Sequence, residues 1–430
     1  MSPNATVGPT STAQRRRFGL LAALYVAQGV PFGFQATALP VLLRQAGLSL
    51  ESIGLLGMLS LPWICKPLWA PLVDATDPLG LGQRRSWLLL MQGAQAATCA
   101  LAATLDPATQ TAALLGAVLA MNLFAATQDI ATDGLAVDSL ADGELGYGNS
   151  VQVVGYKIGM LTGGGLLVWL AGKAGWPALF SGMALIQGAC ALAVLRYRAA
   201  STTQAGAGRI GVRLVLRTLV RVLQARASRP LLVLCVSYKV GESMIDVLFK
   251  PLLVDSGIAT ATIGLWVGSV GMVAGALGSA LGGWLYARLG ATEALRVTLW
   301  LRALPLVLIA VCAAVGVDEA RLIVCTTLEH AAGGALTTTM FATMMASVDR
   351  RIGASHYTLL AAIEVAGKAP GPLVAGFVAQ RIGYAPVMAV GVLLALLPLL
   401  LISALRRPPA GGAGAVDSGA FNSGASNSPA

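Results

Sequence analysis

The 430-residue chain is 56% hydrophobic and 11% charged, with 51 glycines, where an average soluble domain has roughly 45–50% and 25%. That balance excludes an ordinary soluble protein. The net charge of +10 would suit nucleic acid, but the positions of the basic residues point to a membrane instead.

In windows of about 20 apolar residues, enough to cross roughly 30 Å of hydrocarbon, the sequence predicts an all-α membrane protein with twelve transmembrane helices. The predicted spans are 18–43, 51–73, 86–105, 110–138, 150–171, 176–197, 230–254, 261–287, 294–316, 321–347, 354–380 and 384–405. Most of the Lys and Arg then fall on one side, at 15–17, 84–85, 196–229, 288, 296, 350–351 and 406–407, while Arg44, Lys173, Arg321 and Arg381 fall on the other. The positive-inside rule makes the basic side, with both termini, cytoplasmic. Nucleic-acid binding has no further support. The run after Arg17 is too long for a cleaved signal, so it reads as the first span. The layout is a tail (1–17), a six-helix half (18–197), a central loop (198–229), a second six-helix half (230–405) and a disordered tail (406–430).

The first span carries Gln28, Gln35 and, between glycines, Pro31, which predicts a kink. The glutamines serve either as polar contacts between helices or as solute ligands. The second span holds Trp63, Lys66 and Trp69, and is followed by Asp74 and Asp77 and then Arg84-Arg85. An acid–glycine–double-arginine loop between spans 2 and 3 is a partial match to a gating loop of the major facilitator superfamily, with Ala75 standing where the first Arg of that pattern belongs. Such a loop latches two halves of a transporter and breaks as they rock apart.

The fourth span ends in Gln128-Asp129-Ile130-Ala131-Thr132-Asp133-Gly134-Leu135-Ala136-Val137-Asp138. Carboxylates at membrane depth must face the protein interior or a cavity. Asp129 and Asp133 share a helical face, and two like charges one turn apart disfavour joint ionisation. Asp138, together with Asp133 in one reading, is expected to pair with the latch arginines. Asp129 is expected to reach the cavity, with Lys157 of the fifth span as its partner. Gln152 and Tyr156 share a face of that fifth span.

Val26-Ala27-Gln28-Gly29-Val30-Pro31-Phe32-Gly33, Leu61-Pro62-Trp63 with Lys66, Trp69-Ala70-Pro71-Leu72-Val73-Asp74, Arg84-Arg85-Ser86-Trp87, Gln128–Gly134 and Gly148-Asn149 with Gln152 resemble the AmpG-like branch of the major facilitator superfamily. That branch includes muropeptide permeases, RhtX/FptX-type siderophore permeases and acetyl-CoA transporters. The resemblance is dense over residues 20–170 and weaker after 230. It implies two six-helix halves working by alternating access in a bacterial-type inner membrane.

In the central loop, a small-residue linker over 199–208 precedes Arg209, Arg213, Arg217 and Arg221, which recur every fourth residue among apolar ones. This predicts an amphipathic helix on the anionic inner leaflet. The segment 46–55 echoes 256–265 at the same place in each half, an internal repeat expected of two-half transporters.

The seventh span carries Lys239, Glu242, Asp246 and Lys250 on one stripe, either an internal ion ladder or a cavity face. Arg302, Glu329 and His330 lie in spans nine and ten. His356 and the pair Glu364 and Lys368 lie in the eleventh. This pair is either self-satisfied or splits its work, with Lys368 on an anionic solute and Glu364 taking protons. The six cysteines (65, 99, 190, 235, 312, 325) lie within spans and show no metal-ligand spacing. No metal, cofactor or nucleotide loop is expected.

The expectation is therefore a monomeric secondary transporter driven by protons. Asp129, Asp133, Glu242, Asp246 and Glu364 are the coupling candidates. Gln28, Gln35, Gln152, Tyr156, Lys157, Lys239, Glu242 and Lys368 are the candidate solute contacts, and Asp74, Arg84, Arg85 and Asp138 the candidate gate. The resemblance implies extra C-terminal helices for muropeptide permeases and a bare twelve-helix form for siderophore permeases. Chain length thus favours a siderophore or its ferric complex, with a muropeptide second and a CoA ester third. The rivals are a membrane enzyme, for which no polar domain to hold substrate is evident, and a non-transporting sensor signalling through the basic helix.

Overall fold

The computed structural model describes residues 12–45, 59, 61–107, 109–197 and 211–402, and no strand occurs among them. The 1–11 tail, the 46–55 half of the internal repeat, the 199–208 linker with Arg209, and the tail from 403 onward lie outside the described residues.

The first helix, α1 (residues 12–45), runs as Thr12–Gly33, passes through a π turn at Phe34–Ala38 and resumes at Leu39–Gln45. Pro31 cannot donate a backbone N–H and its ring crowds the preceding turn. The irregularity expected there is taken up as a π turn three residues later. Prolines 62, 67 and 71 break α2 (61–75), which passes through a 3₁₀ turn at Lys66–Leu68. Then come α3 (Gln83–Ala102), α4 (Thr111–Ser139), α5 (145–174, with a π turn at Thr162–Leu166) and α6 (Trp176–Arg196). The central-loop helix is α7 (Val212–Gln224).

The second half begins with α8 (229–255), interrupted at Tyr238 and Lys239. Helices α9 (260–289) and α10 (291–315) part at Gly290, whose φ of 75° suits glycine. They are followed by α11 (Glu319–Ala346), α12 (353–382, turning at Ala369 and Pro370) and α13 (Tyr384–Ile402). Six stretches among the described residues are long and apolar enough to cross a membrane. Helix α2 is described only from Leu61, and the interruptions in α8 at Tyr238 and Lys239 and in α12 at Ala369 leave pieces too short to count; the twelve-span plan fits the fold.

Glycine sets the closest helix approaches. Gly29 and Gly33 of α1 face Gly159 and Gly163 of α5 so closely that a Cβ at any of the four would strike the opposing backbone. Small residues let helices associate without a hydrophobic driving force in lipid. Three apolar clusters show how the halves are joined. One, with Val30, Leu42, Leu114 and Phe180, belongs to the first half alone. A second, with Ile245, Leu306, Leu322 and Met388, belongs to the second half alone. The third brings Leu21, Tyr25 and Leu140 together with Tyr286, Met345 and Tyr357 from the other half. The shared cluster sits at the end of the bundle that carries Thr12, Ser139 and Arg350. There Ser150 Oγ also donates to Ser279 O at 2.7 Å, and Gly146 meets Gly283 backbone to backbone. The halves are closed against each other at this end.

Candidate functional site

The closed end is latched by charge. Arg84, at the start of α3, pairs with Asp74 at 2.7 Å and with Asp138 at 2.8 Å. Gly134 makes room for it, since a Cβ there would lie 2.7 Å from the Arg84 guanidinium. Asp74 also accepts the backbone N–H of Ser355 from the second half at 2.6 Å. One buried carboxylate thus joins the end of α2, helix α3 and the opposite half. Arg85 stands apart from this group and donates to Leu195 O at 2.5 Å. Asp77 accepts from Gly82 N at 3.0 Å and from Ser86 Oγ, so it fixes the N-terminus of α3. Arg350 bridges to Leu140 O at 3.3 Å and to Asp142 at 3.2 Å.

Deeper in the first half, Asp129 accepts from Gln28 Nε2 and is ion-paired to Lys66 Nζ. The pairing expected with Lys157 is not formed. Lys66 gets to Asp129 first because the proline-broken α2 turns its 3₁₀ segment toward α4. Lys157 instead extends to α9, against Gly275 and toward Glu329 of the second half. Asp133 does not join the latch, which was one of two readings for it. Its Oδ1 accepts from Tyr25 Oη and from Gln152 Nε2, both at 3.1 Å, because its turn of α4 faces α1 and α5. Across the interface, Tyr357 Oη donates to Gln152 Oε1 at 3.4 Å. Gln35 is buried on the π turn of α1, and Tyr156 lies against the Phe32 ring at 5.8 Å.

In the second half, Arg302 is the centre. Fully buried in α10, it meets Glu242 at 2.9 Å, Glu329 at 2.6 Å and Asp246 at 3.7 Å. His330 pairs with the far oxygen of Glu329. Glu364 accepts from Tyr238 Oη at 3.2 Å and from Lys368 at 3.1 Å. Beside this network is a cavity of about 530 Å³ lined by Lys239, Glu242, Asp246 and Lys368, among others. The Lys239 ammonium lies 5.7 Å from the centre of the Tyr238 ring, and among the described residues it makes no ion pair. Lys250 is exposed and outside the lining, so the expected four-residue stripe ends at Asp246. Glu242 and Lys250 lie in one uninterrupted stretch, Val240–Asp255, where eight residues turn a side chain about 80° off the starting face.

The stripe was visible in the sequence, but its counter-ion was not assigned. Lys66, Arg302 and Glu329 were the unassigned partners, together with Tyr25 and Tyr357. The signal that could have found the charged three is a charge near the middle of a span, which demands an internal partner. Among the described residues no group of acids, histidines and cysteines could hold a metal.

Comparisons with known proteins bear on the family and the fold. The family described as Acetyl-coenzyme A transporter 1 matches residues 17–172. An anhydromuropeptide permease of Escherichia coli (strain K12) is 26% identical over 92% of this chain and 80% of its own length. Among solved structures, the transporter FucP in its outward conformation superposes with a TM-score of 0.68 at 14% identity, covering 91% of this chain and 99% of that one. The human organic anion transporter MFSD10 superposes with a TM-score of 0.67 at 19% identity, covering 90% and 99%. The protein is a membrane transporter, not an enzyme: its fold is that of the major facilitator superfamily, and its sequence resembles the AmpG-like branch of that superfamily.

Proposed function

We propose that this protein is a proton-coupled secondary transporter that imports an anionic organic solute across a bacterial-type inner membrane, with a muropeptide as the first substrate to test. The observation that carries this reading is the cavity of about 530 Å³ whose wall includes Lys239 and Lys368. An ammonium that faces a cavity inside the bundle without an ion-pair partner invites an anion. Arg302 is saturated by three acids and Lys368 is paired with Glu364, so Lys239 is the cation left for that task, with Lys368 beside it.

The substrate order changes from the one expected by length. The anhydromuropeptide permease aligns with 92% of this chain, so the shorter chain gives no reason to set a muropeptide second. The match to the acetyl-coenzyme A transporter family over residues 17–172 supports a CoA ester as the alternative. A siderophore has no counterpart among the relatives described above.

Two acids of α4 divide the coupling work. Asp129 is neutralised by Lys66, whereas Asp133 is held by the neutral donors Tyr25 and Gln152. In our reading Asp133 takes the proton. With the proton on Oδ1, the atom that now accepts from Gln152, Asp133 becomes a donor there, and the Gln152 amide turns round to accept from it. The amide then presents its NH₂ group, in place of its oxygen, to Tyr357 of the other half. A proton arriving in one half thereby alters a contact between the two halves, as alternating access requires. In our reading the basic belt puts the closed end on the cytoplasmic side.

The test is uptake by purified protein in proteoliposomes under an inward proton gradient, with radiolabelled anhydromuropeptide, acetyl-CoA, a ferric siderophore and a neutral disaccharide. Gradient-driven accumulation of the muropeptide above the other three is expected. Failure to accumulate any of the anionic solutes overturns the reading.

A further inference from the structure

Helix α7 carries no acid and presents three different faces. Val215 and Leu219 are buried against Ile352 and Leu359 at the start of α12, and the helix also packs on the end of α2. A second row, Val212, Leu216 and Val220, repeats every fourth residue and is exposed, at 37%, 48% and 50%. A third row, Arg213, Arg217 and Arg221, runs beside the second and is also exposed. Leu216, Arg217, Val220 and Arg221 together line an open groove of about 360 Å³. Docking on the protein therefore accounts for one face only. The other two place an apolar strip directly beside a basic strip, at the end of the bundle where Arg350 and Arg351 are also exposed.

We infer that α7 is a binding site for anionic phospholipid, with the headgroup phosphate held between Arg217 and Arg221 and an acyl chain against Leu216 and Val220. The order of the faces is what selects a lipid. A nucleic acid would use the arginines but leave the apolar row wet. An acidic protein would need to cover both rows, whereas a lipid brings phosphate and hydrocarbon together at the depth where the two rows meet. Guanidinium groups suit the phosphate because their planar fork donates two hydrogen bonds at once. Because Val215 and Leu219 rest on Ile352, beside the Asp74–Ser355 contact, lipid on the outer faces also holds α7 down over the closed end.

Hydrogen–deuterium exchange of the full chain in nanodiscs tests this directly. In phosphatidylglycerol discs the amides of 212–224 are expected to exchange at least about fivefold more slowly than in phosphatidylcholine discs, in line with several arginines near an anionic surface. Arg217→Gln/Arg221→Gln should remove that difference, and Arg217→Lys/Arg221→Lys should keep part of it. Leu216→Gln/Val220→Gln should reduce it with all arginines present. Equal exchange in the two lipids overturns the proposal, as does protection by inorganic phosphate alone in phosphatidylcholine discs. A lipid difference that persists in the Gln variant also overturns it. Exchange in α4 and α11 reports whether each variant is folded.

Discussion

Asp74 accepts the backbone N–H of Ser355 at 2.6 Å, across 281 residues of sequence and across the interface between the two halves. The same carboxylate is paired with Arg84, which is paired in turn with Asp138. A rocking motion that opens this end must break the Asp74–Ser355 contact, and a hydrogen bond to a charged group is worth about 1.5–3 kcal/mol. Asp74→Ala is expected to shift the population toward the state open at this end. Spin labels at Gly143 and Arg351, one on each half, should then report a longer distance in the variant. Asp74→Asn keeps an acceptor for Ser355 and should shift it less. An unchanged distance distribution in Asp74→Ala would show that the contact is not part of the gate.

The Lys66–Asp129 pair lies deeper, with each side chain 12% exposed. Removing one partner of a buried ion pair leaves an uncompensated charge and costs about 3–5 kcal/mol, whereas replacing both by apolar groups can be close to neutral. Lys66→Met should therefore lower the melting temperature in detergent more than Lys66→Met/Asp129→Leu does. Additive losses in the double variant would mean the two charges do not act as a pair.

Arg302 carries a heavier load, because three acids converge on it. Arg302→Met should abolish stable expression. Arg302→Lys should rescue it only partly, since an ammonium cannot reproduce the guanidinium fork that serves Glu242 and Glu329 together. Full stability of Arg302→Met by size-exclusion chromatography would contradict this account of the second half.

Asp349, outside the spans, gives a prediction in pH. Burial raises its pKa, but hydrogen bonds and charge from Arg351 outweigh this and set it below the ordinary Asp value. A depressed carboxylate contributes stability that is complete above the unfolded Asp range and is lost as pH falls through the folded value. Asp349 also caps the turn that leads into α12 by accepting from Arg351 N at 3.0 Å. Asp349→Asn should thus lower stability by up to about 1 kcal/mol near neutral pH, because Arg351 is more than half exposed. The deficit should shrink in acid. A deficit independent of pH would assign the role to packing instead.

The sequence made the membrane plan legible because apolar length and Lys/Arg asymmetry are properties of segments, not of contacts. It also marked α4, α8 and α12 as carriers of buried charge, as Asp129, Asp133, Glu242 and Glu364 are. What it left open was pairing. Lys157 and Lys66 both lie in spans that could face Asp129, and only the proline-broken course of α2 decides between them. The register of α8 was misjudged for another reason. Eight residues along one helix carry Lys250 about 80° away from the face of Glu242. Arg302 has no sequence neighbour that marks it, since its three partners come from α8 and α11.

The central claim is that proton entry at Asp133 drives accumulation of an anionic solute. Its most direct test is transport of radiolabelled anhydromuropeptide in proteoliposomes, measured both as proton-gradient-driven accumulation and as gradient-free exchange. Asp133→Asn is predicted to lose accumulation about tenfold or more, as expected when an essential proton-transfer group is removed, and to retain exchange. Gln152→Leu should behave in the same way, and Lys239→Ala should weaken both modes. Full gradient-driven accumulation by Asp133→Asn would contradict the account.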